Sequence, residues 1–425
     1  MVRALLYLPD AAGDRLAATR VAGRTLAVRV MVAALRAGAS RIAVPSTLRD
    51  PAVDRALRRM PALSDALEWL GPGADAPADG PAARWFLLPA SALIHASVLD
   101  GLLAAPPGRS AVLAESAEGI APVALLPATP PATLLPNTLW PNTLWPNSLW
   151  PNTLWPNPLW PNPLWKDMAA GRPVGPELAR WLRETGAMPR GATGPYVDVR
   201  DAAGLARAEA ALEATLSIAA DSGVDRYLHR RCSRWITRFL VHTDLTPNHV
   251  SLVSLAIGLG AIWCFWSATP ASAFAGVLLY ALACIVDHAD GELARLTLQE
   301  SRFGANLDWT IDTLIHAGLV LGIGLTAGGP VMQGVGLLGA AGVTLSALFA
   351  RYLPREIEIG PTVGGVLRNI ANRDLFYLLL LGAATLRLLA PSRVGVAAGV
   401  VAVGSQAYWV GCLVRIRRLG RGRTA

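Results

Sequence analysis

The chain has 425 residues, 53% of them hydrophobic and 16% charged, with a formal net charge of +8. A water-soluble chain carries about a quarter of its residues as charges, so this composition excludes a wholly soluble enzyme, and its apolar content excludes a disordered chain. Four cysteines in such a length exclude a disulfide scaffold. Cys264, Cys284 and Cys412 lie in apolar runs and Cys232 in a basic one, so they read as reduced packing thiols. Lys166 is the single lysine; arginine carries the rest of the positive charge, and no nucleic-acid partner is expected. The apolar stretch Ala4–Leu8 is short for a secretory signal and ends at Pro9-Asp10. The N-terminal region is therefore expected to stay in the cytoplasm.

Within an N-terminal domain read as 1–220, residues 1–130 alternate two kinds of segment. Ala4–Leu8, Arg41–Pro45, Trp85–Pro89 and Ala111–Ala114 are short apolar runs suited to buried parallel strands. Thr25–Ala37, Ala52–Leu70 and His95–Ala105 have helical periodicity. This alternation predicts a doubly wound, Rossmann-like α/β domain. Ala22-Gly23-Arg24-Thr25-Leu26 followed by Ala37-Gly38-Ala39-Ser40-Arg41-Ile42 resembles the first unit of a sugar-phosphate nucleotidyltransferase. Tyr196-Val197-Asp198-Val199-Arg200-Asp201, with Ala208-Glu209, resembles a later part of one. Such enzymes carry a glycine-rich loop after the first strand. Here Leu8-Pro9-Asp10-Ala11-Ala12-Gly13-Asp14-Arg15 has one glycine and two added acids, a poor phosphate cradle. Leu87-Leu88-Pro89-Ala90 stands where a metal-binding aspartate is expected. The domain is read as catalytically degenerate.

Residues 135–165 repeat Leu-Trp-Pro-Asn-Thr/Ser/Pro and hold six of the 14 tryptophans (Trp140, Trp145, Trp150, Trp155, Trp160, Trp165). Proline at every fifth position forbids a regular helix or central strand. The segment is either an expansion in a surface loop or a Trp-rich surface for a membrane or partner.

Over 221–248, Val224–His242 reads as an amphipathic helix lying at the cytoplasmic interface. Tyr227, Trp235, Ile236, Phe239 and Leu240 provide its apolar contacts and the arginines its basic face. From 249 onward six apolar segments follow: Val250–Trp266, Ala273–Val286, Leu314–Ala327, Val331–Phe349, Leu375–Leu389 and Val394–Val414. They predict a six-span helical membrane domain. Arginines gather before the first span, between the second and third, after the fourth and after the sixth, which puts both termini in the cytoplasm.

The chemistry sits across the second and third spans. Asp287 and Asp290 are spaced i, i+3, and Asp308 and Asp312 i, i+4, so each pair shares one helix face. Two helices joined by the short Arg295–Gly304 turn bring four carboxylates together. Four like charges need a cation, and oxygen donors suit Mg²⁺ or Mn²⁺. Gly291, Ala294 and Gly304 leave room for close approach, and Arg295 supplies a fixed cation.

The run Asp-x2-Asp-Gly-x2-Ala-Arg-x8-Gly-x3-Asp-x3-Asp resembles the signature of the CDP-alcohol phosphotransferase (CDP-alcohol phosphatidyltransferase) family at every fixed position, and Thr246-Pro247-Asn248 resembles the family's Pro-Asn element. The resemblance covers about 224–418. It implies that Asp287, Asp290 and Asp308 hold metal, with Asp312 a further ligand and the general base. Asn248, Asp287, Asp290, Gly291, Ala294, Arg295 and Gly304 would sit against the cytidine diphosphate. An acceptor hydroxyl would attack the β-phosphate of a CDP-alcohol and CMP would leave. A homodimer through membrane helices is implied as well. Nucleotidyltransferase and phosphotransferase domains are fused in enzymes making inositol-phosphate compounds, so an inositol-phosphate-type substrate is expected. CDP-diacylglycerol is the alternative donor, giving a phospholipid. A six-span cation transporter is the alternative from another class.

Arg351, Arg355, Arg368 and Arg373 after the fourth span read either as ligands for a phosphorylated acceptor or as positive-inside charge. His288 is read as structural rather than proton-transferring. His249 and His316 read either as approaching the site or as satisfied polar residues of a span, and His242 reads as interfacial.

Overall fold

The structure, a computed structural model, describes residues 1–72, 74, 83–106, 109–117, 119, 121–128, 162–216, 223–352 and 373–421. It divides into two compact units, Met1–Leu216 and Ser217–Ala425.

Among the described residues, the N-terminal unit is an α/β fold on a seven-stranded sheet. Its strands are β1 (Val2–Tyr7), β2 (Arg41–Pro45), β3 (Leu67–Leu70), β4 (Arg84–Pro89), β5 (Ala111–Leu113), β6 (Ala124–Leu126) and β7 (Met188–Arg190), in the order β7-β5-β6-β4-β1-β2-β3. β1 pairs in parallel with β2 and β4, as do β2 with β3 and β5 with β7; β6 runs antiparallel to β4 and β5. Leu5, Leu6, Phe86, Leu87 and Leu88 are fully buried, which is why β1 and β4 read as continuous apolar runs. Helices α1 (Leu26–Arg36), α2 (Ala96–Leu103), α3 (Gly175–Glu184) and α4 (Ala202–Ala214) accompany the sheet.

Two sequence expectations change here. The single helix expected over Ala52–Leu70 is two short helices, Pro51–Arg59 and Pro61–Ala66, followed by β3. Pro61 has no N–H to continue the first helix but suits the first position of a second. The end of the repeat belongs to the core: Asn162–Ala169 is helical, and Trp165 is buried edge-on to Trp85 with ring centroids 5.9 Å apart. Its indole N–H donates to the Ala74 carbonyl at 3.1 Å. The rest of the repeat lies outside the described residues.

In the C-terminal unit a π-helical turn, Asp225–His229, leads into α5 (Arg230–Leu240). Then come α6 (Pro247–Trp266), α7 (Pro270–Leu296), α8 (Arg302–Leu325), α9 (Gly329–Tyr352), α10 (Arg373–Leu389) and α11 (Val394–Arg421). Among the described residues, α6, α7, α9 and Pro391–Val414 are long and apolar enough to cross a bilayer. α8 carries Arg302, Asp308 and Asp312, and α10 is 17 residues long with charged residues near both ends. The exterior is apolar: Leu252, Trp263, Leu278, Val331, Leu337 and Val403 are all exposed. Such a surface suits lipid rather than water, as in an integral membrane protein. α7 packs against α5, α6 and α10, and α8 against α6, α9 and α11.

α5 buries a face that the sequence does not announce. Arg230, Ser233, Thr237 and Leu240 turn inward, while Trp235 is 77% and Phe239 71% exposed. The partner of the polar face is Glu292 of α7, which has no exposed surface. It accepts from Arg230 Nη1 at 3.1 Å, Ser233 Oγ at 2.9 Å and Thr237 Oγ1 at 2.9 Å. Buried charge is tolerated when its oxygens are satisfied in this way. Far along the bundle, Arg387 is also buried. It donates to the Phe265 carbonyl at 2.9 Å and to Thr326 Oγ1, closing the C-terminal ends of α6 and α8.

Candidate active site

α7 and α8 form the floor of the site, and the first turns of α6 form its wall. Asp287 and Asp290 project from the C-terminal part of α7, and Asp308 from the second turn of α8. One carboxylate oxygen from each lies within 4.8 Å of the others. Asp287 and Asp290 are buried and Asp308 half-buried. Asp312 lies one turn further along α8, outside that trio but within Coulombic reach of Asp290. All-oxygen donors at this spacing fit a hard divalent cation, and three converging acids, two of them buried, are costly without one.

A cleft of about 240 Å³ opens beside the trio. Asn248, Asp290, Gly291, Ala294, Arg295, Gly304 and Asp308 line it, together with Ser251 and the Gln299–Ser301 turn. The turn is fixed by Ser301, whose Oγ accepts the Gly304 N–H at 2.9 Å and caps α8. A Cβ on Gly304 would lie 3.3 Å from Asn248 Oδ1, so glycine lets the starts of α6 and α8 approach. Across the cleft, a Cβ on Gly291 would press on the Arg295 guanidinium at 3.3 Å.

Ser251 and Glu292 are the residues that sequence reasoning missed. Ser251 donates through Oγ to Asp290 Oδ2 and sits one turn after Asn248 on the same face of α6. That i, i+3 spacing was its only signal. Glu292 shows no signal at all, because it falls at a variable position of the acidic motif.

The remaining expected residues separate. Arg351 stacks over Trp309 at 5.0 Å and donates to Asn306 Oδ1, so its guanidinium is held against the start of α8. Arg355 and Arg368 lie outside the described residues, as does the side chain of Arg373. His249 belongs to the N-terminal cap of α6: its Nδ1 accepts the Thr246 N–H at 3.3 Å. His316 contacts the Asp312 carbonyl through Nδ1 at 2.6 Å and the Tyr280 hydroxyl through Nε2 at 2.9 Å, backing the helix that carries Asp312. His288 lies 2.9 Å from Asp225.

Residues 244–411 match the family described as CDP-alcohol phosphatidyltransferase. The bifunctional IPC transferase and DIPP synthase of Rubrobacter xylanophilus is 36% identical over 209 residues, 47% of this chain and 46% of that protein. Its namesake from Thermococcus kodakarensis is 33% identical over 123 residues, 29% of this chain and 27% of that protein. The archaetidylinositol phosphate synthase of Pyrococcus horikoshii is 37% identical over 90 residues, 21% of this chain and 46% of that protein. The chain spans less than half the length of each of these relatives. A phosphatidylinositol phosphate synthase structure from Mycobacterium tuberculosis with CDP-DAG bound is 21% identical, covering 44% of this chain and 92% of that one. Its TM-score of 0.35 is too low to carry an argument.

Proposed function

We propose that this chain, whose residues 244–411 belong to the CDP-alcohol phosphatidyltransferase family, transfers a substituted phosphate from a CDP-alcohol to an acceptor hydroxyl and releases CMP. The observation that carries this reading is the convergence of Asp287, Asp290 and Asp308 within 4.8 Å at the edge of a cleft lined by Asn248, Gly291 and Arg295. Asp287, Asp290 and Asp308 hold the divalent metal, Mg²⁺ or Mn²⁺. When bound, that ion offsets the charge of the phosphates. Arg295 and Asn248 orient the cytidine diphosphate, and Gly291, Ala294 and Gly304 keep the cleft open to it. Ser251 holds the Asp290 carboxylate in one rotamer. Asp312 takes the acceptor hydroxyl's proton, with His316 and Tyr280 fixing its stretch of α8.

The archaetidylinositol phosphate synthase among the relatives favours an inositol-phosphate-type substrate. The same relative favours a second reading, in which the donor alcohol is a lipid. The phosphorylated acceptor is bound by arginines of the fourth cytoplasmic segment, Arg351, Arg355, Arg368 and Arg373. Arg351 reaches it by leaving Asn306. The domain spans an inner membrane six times as a homodimer, with α8 and α10 as the two further spans and both termini cytoplasmic. The aromatic face of α5 lies at the lipid interface. The N-terminal unit is a degenerate nucleotidyltransferase-like domain. In its loop after β1, Asp10 Oδ1 accepts the Ala12 N–H at 2.9 Å, so a backbone donor that a phosphate would need is already taken.

The test is the full chain in detergent with Mg²⁺, CDP-alcohols carrying lipid or polar alcohols, and a panel of acceptors, with products identified by mass. CMP release with one matched product is expected. Cation flux in vesicles without CMP release from any donor would replace this reading with the transporter.

A further inference from the structure

A second cluster of metal-ligating side chains lies in the C-terminal unit. Asp225 and His229 occupy the two ends of the π-helical turn that precedes α5, and His288 projects from α7. Asp225 Oδ1 is met by His229 Nδ1 at 2.8 Å and by His288 Nε2 at 2.9 Å. The imidazole rings stand 5.6 Å apart and 64° out of plane, so both edges converge on the carboxylate. Asp225 and His229 are buried, and the His288 side chain is 10% exposed. One ligand atom from each of the three lies within 4.8 Å of the other two.

From these residues the geometry points to a second metal site, for a borderline transition-metal ion such as Zn²⁺. Its donor set is two imidazole nitrogens and one carboxylate oxygen, which suits Zn²⁺ or Co²⁺ and not Mg²⁺, whose preference is for oxygen throughout. The trio of Asp287, Asp290 and Asp308 offers oxygen alone. The two clusters are therefore selective for different ions, although His288 and Asp287 are neighbours in sequence.

Three features of the surroundings suit a ligand site. The turn that bears Asp225 and His229 is π-helical, a local widening that recurs at functional positions. It is held from outside: Asp374 at the start of α10 accepts the Gly223 N–H at 2.9 Å and the Val224 N–H at 3.0 Å. His229 also has an outer partner, since its Nε2 lies 3.0 Å from the Tyr377 hydroxyl. When Nε2–H donates to Tyr377, the neutral ring presents the Nδ1 lone pair toward Asp225, and the two repel unless a cation lies between them. Orientation of a ligating histidine by a hydrogen bond at its far nitrogen is the usual arrangement at such centres. A tetrahedral ion with bonds of about 2.0–2.1 Å sets its ligands about 3.3 Å apart. Loading thus asks each imidazole–carboxylate pair, now at 2.8 and 2.9 Å, to open by about half an ångström. With the ion bound, the segment ahead of α5 is tied to the helix carrying Asp287 and Asp290, and water supplies the fourth ligand.

The experiment uses the full chain in detergent, with excess Mg²⁺ present throughout to saturate the carboxylates. Co²⁺ is added as the probe, free metal is removed, and bound cobalt is counted by elemental analysis and by its visible absorption. One equivalent that resists Mg²⁺ is expected, and X-ray absorption on the unmutated protein should report two imidazole nitrogens in its shell. His229→Gln should lose the equivalent. Tyr377→Phe should keep it with about 10-fold weaker affinity, the lower end of the range for removal of an outer partner. Asp308→Asn should leave it in place. Three results would overturn the site: no equivalent beyond what Mg²⁺ displaces, an all-oxygen shell, or an equivalent that persists in His229→Gln and vanishes in Asp308→Asn. Any of these would leave Asp225 as a hydrogen-bonded staple between two histidines.

Discussion

The two units solve opposite problems with the same residue types. In the N-terminal unit Leu5, Phe86 and Leu88 have no exposed surface, and the acids Asp14, Asp65 and Glu68 lie outside. In the C-terminal unit Leu278 is 73% exposed while Glu292 is fully buried. Lipid is as apolar as leucine, so apolar burial does little to hold the helices together, and buried polar contacts matter more. The lesson is that in the membrane unit the residues that hold the fold are also those that aim the carboxylates. Glu292 lies one residue from Gly291 and two from Asp290, on the helix that bears two of the acids.

Several substitutions break or sharpen that contrast. The largest effect is expected at the acids. Asp312→Asn should lower CMP release by about 10²–10⁴-fold with the fold retained, the range for losing a positioned base. Release unchanged by that variant would remove Asp312 from its role. Next comes the buried ion pair. Glu292→Ala leaves Arg230 buried without its carboxylate partner and should cost about 3–5 kcal/mol, read as a lowered melting point in detergent. A paired test of burial follows. Leu5→Ala in the sheet core should cost about 2–5 kcal/mol, whereas Leu278→Ala on the lipid-facing side should stay within about 0.5 kcal/mol. Equal losses at both positions would show that α7 buries Leu278 against protein.

Among the buried side chains, the smallest loss is expected at Arg29 of α1. Its Nε and Nη2 donate to the Val21 carbonyl at 3.0 and 2.7 Å, and Nη2 donates to Ala22 at 3.0 Å. These bonds hold a turn in which Ala22 takes a positive φ of 44°. Burial pushes the guanidinium down to about 9, so part of the bond energy is offset by lost hydration. Arg29→Met should cost about 1.5–3 kcal/mol, the range for hydrogen bonds to a charged group. A neutral outcome in thermal melting would show that the turn holds without it.

How much was legible in the sequence follows from what sets each feature. The acidic motif is local on each helix: i, i+3 and i, i+4 spacings fix which side chains share a face, and a short turn fixes which helices meet. Strands β1, β2, β4 and β5 are legible because buried parallel strands are uninterrupted apolar runs. β3 is not, since Leu67–Leu70 continues a helical period and only Pro61 breaks it. The inward face of α5 is not legible either. Arg230, Ser233 and Thr237 read as a solvated face until Glu292 is placed opposite, and that pairing spans some sixty residues of chain. Trp165 looks like one more unit of a repeat, yet its packing on Trp85 makes it core.

The most direct measurement is CMP release from a CDP-alcohol by the purified full chain, with and without Mg²⁺, beside the Asp290→Asn and Asp308→Asn variants. The account predicts release that stops when the metal is chelated, returns when Mg²⁺ is restored, and is lost in both variants while each still folds. Release that survives chelation, or that either variant sustains at the unmutated rate, would contradict it.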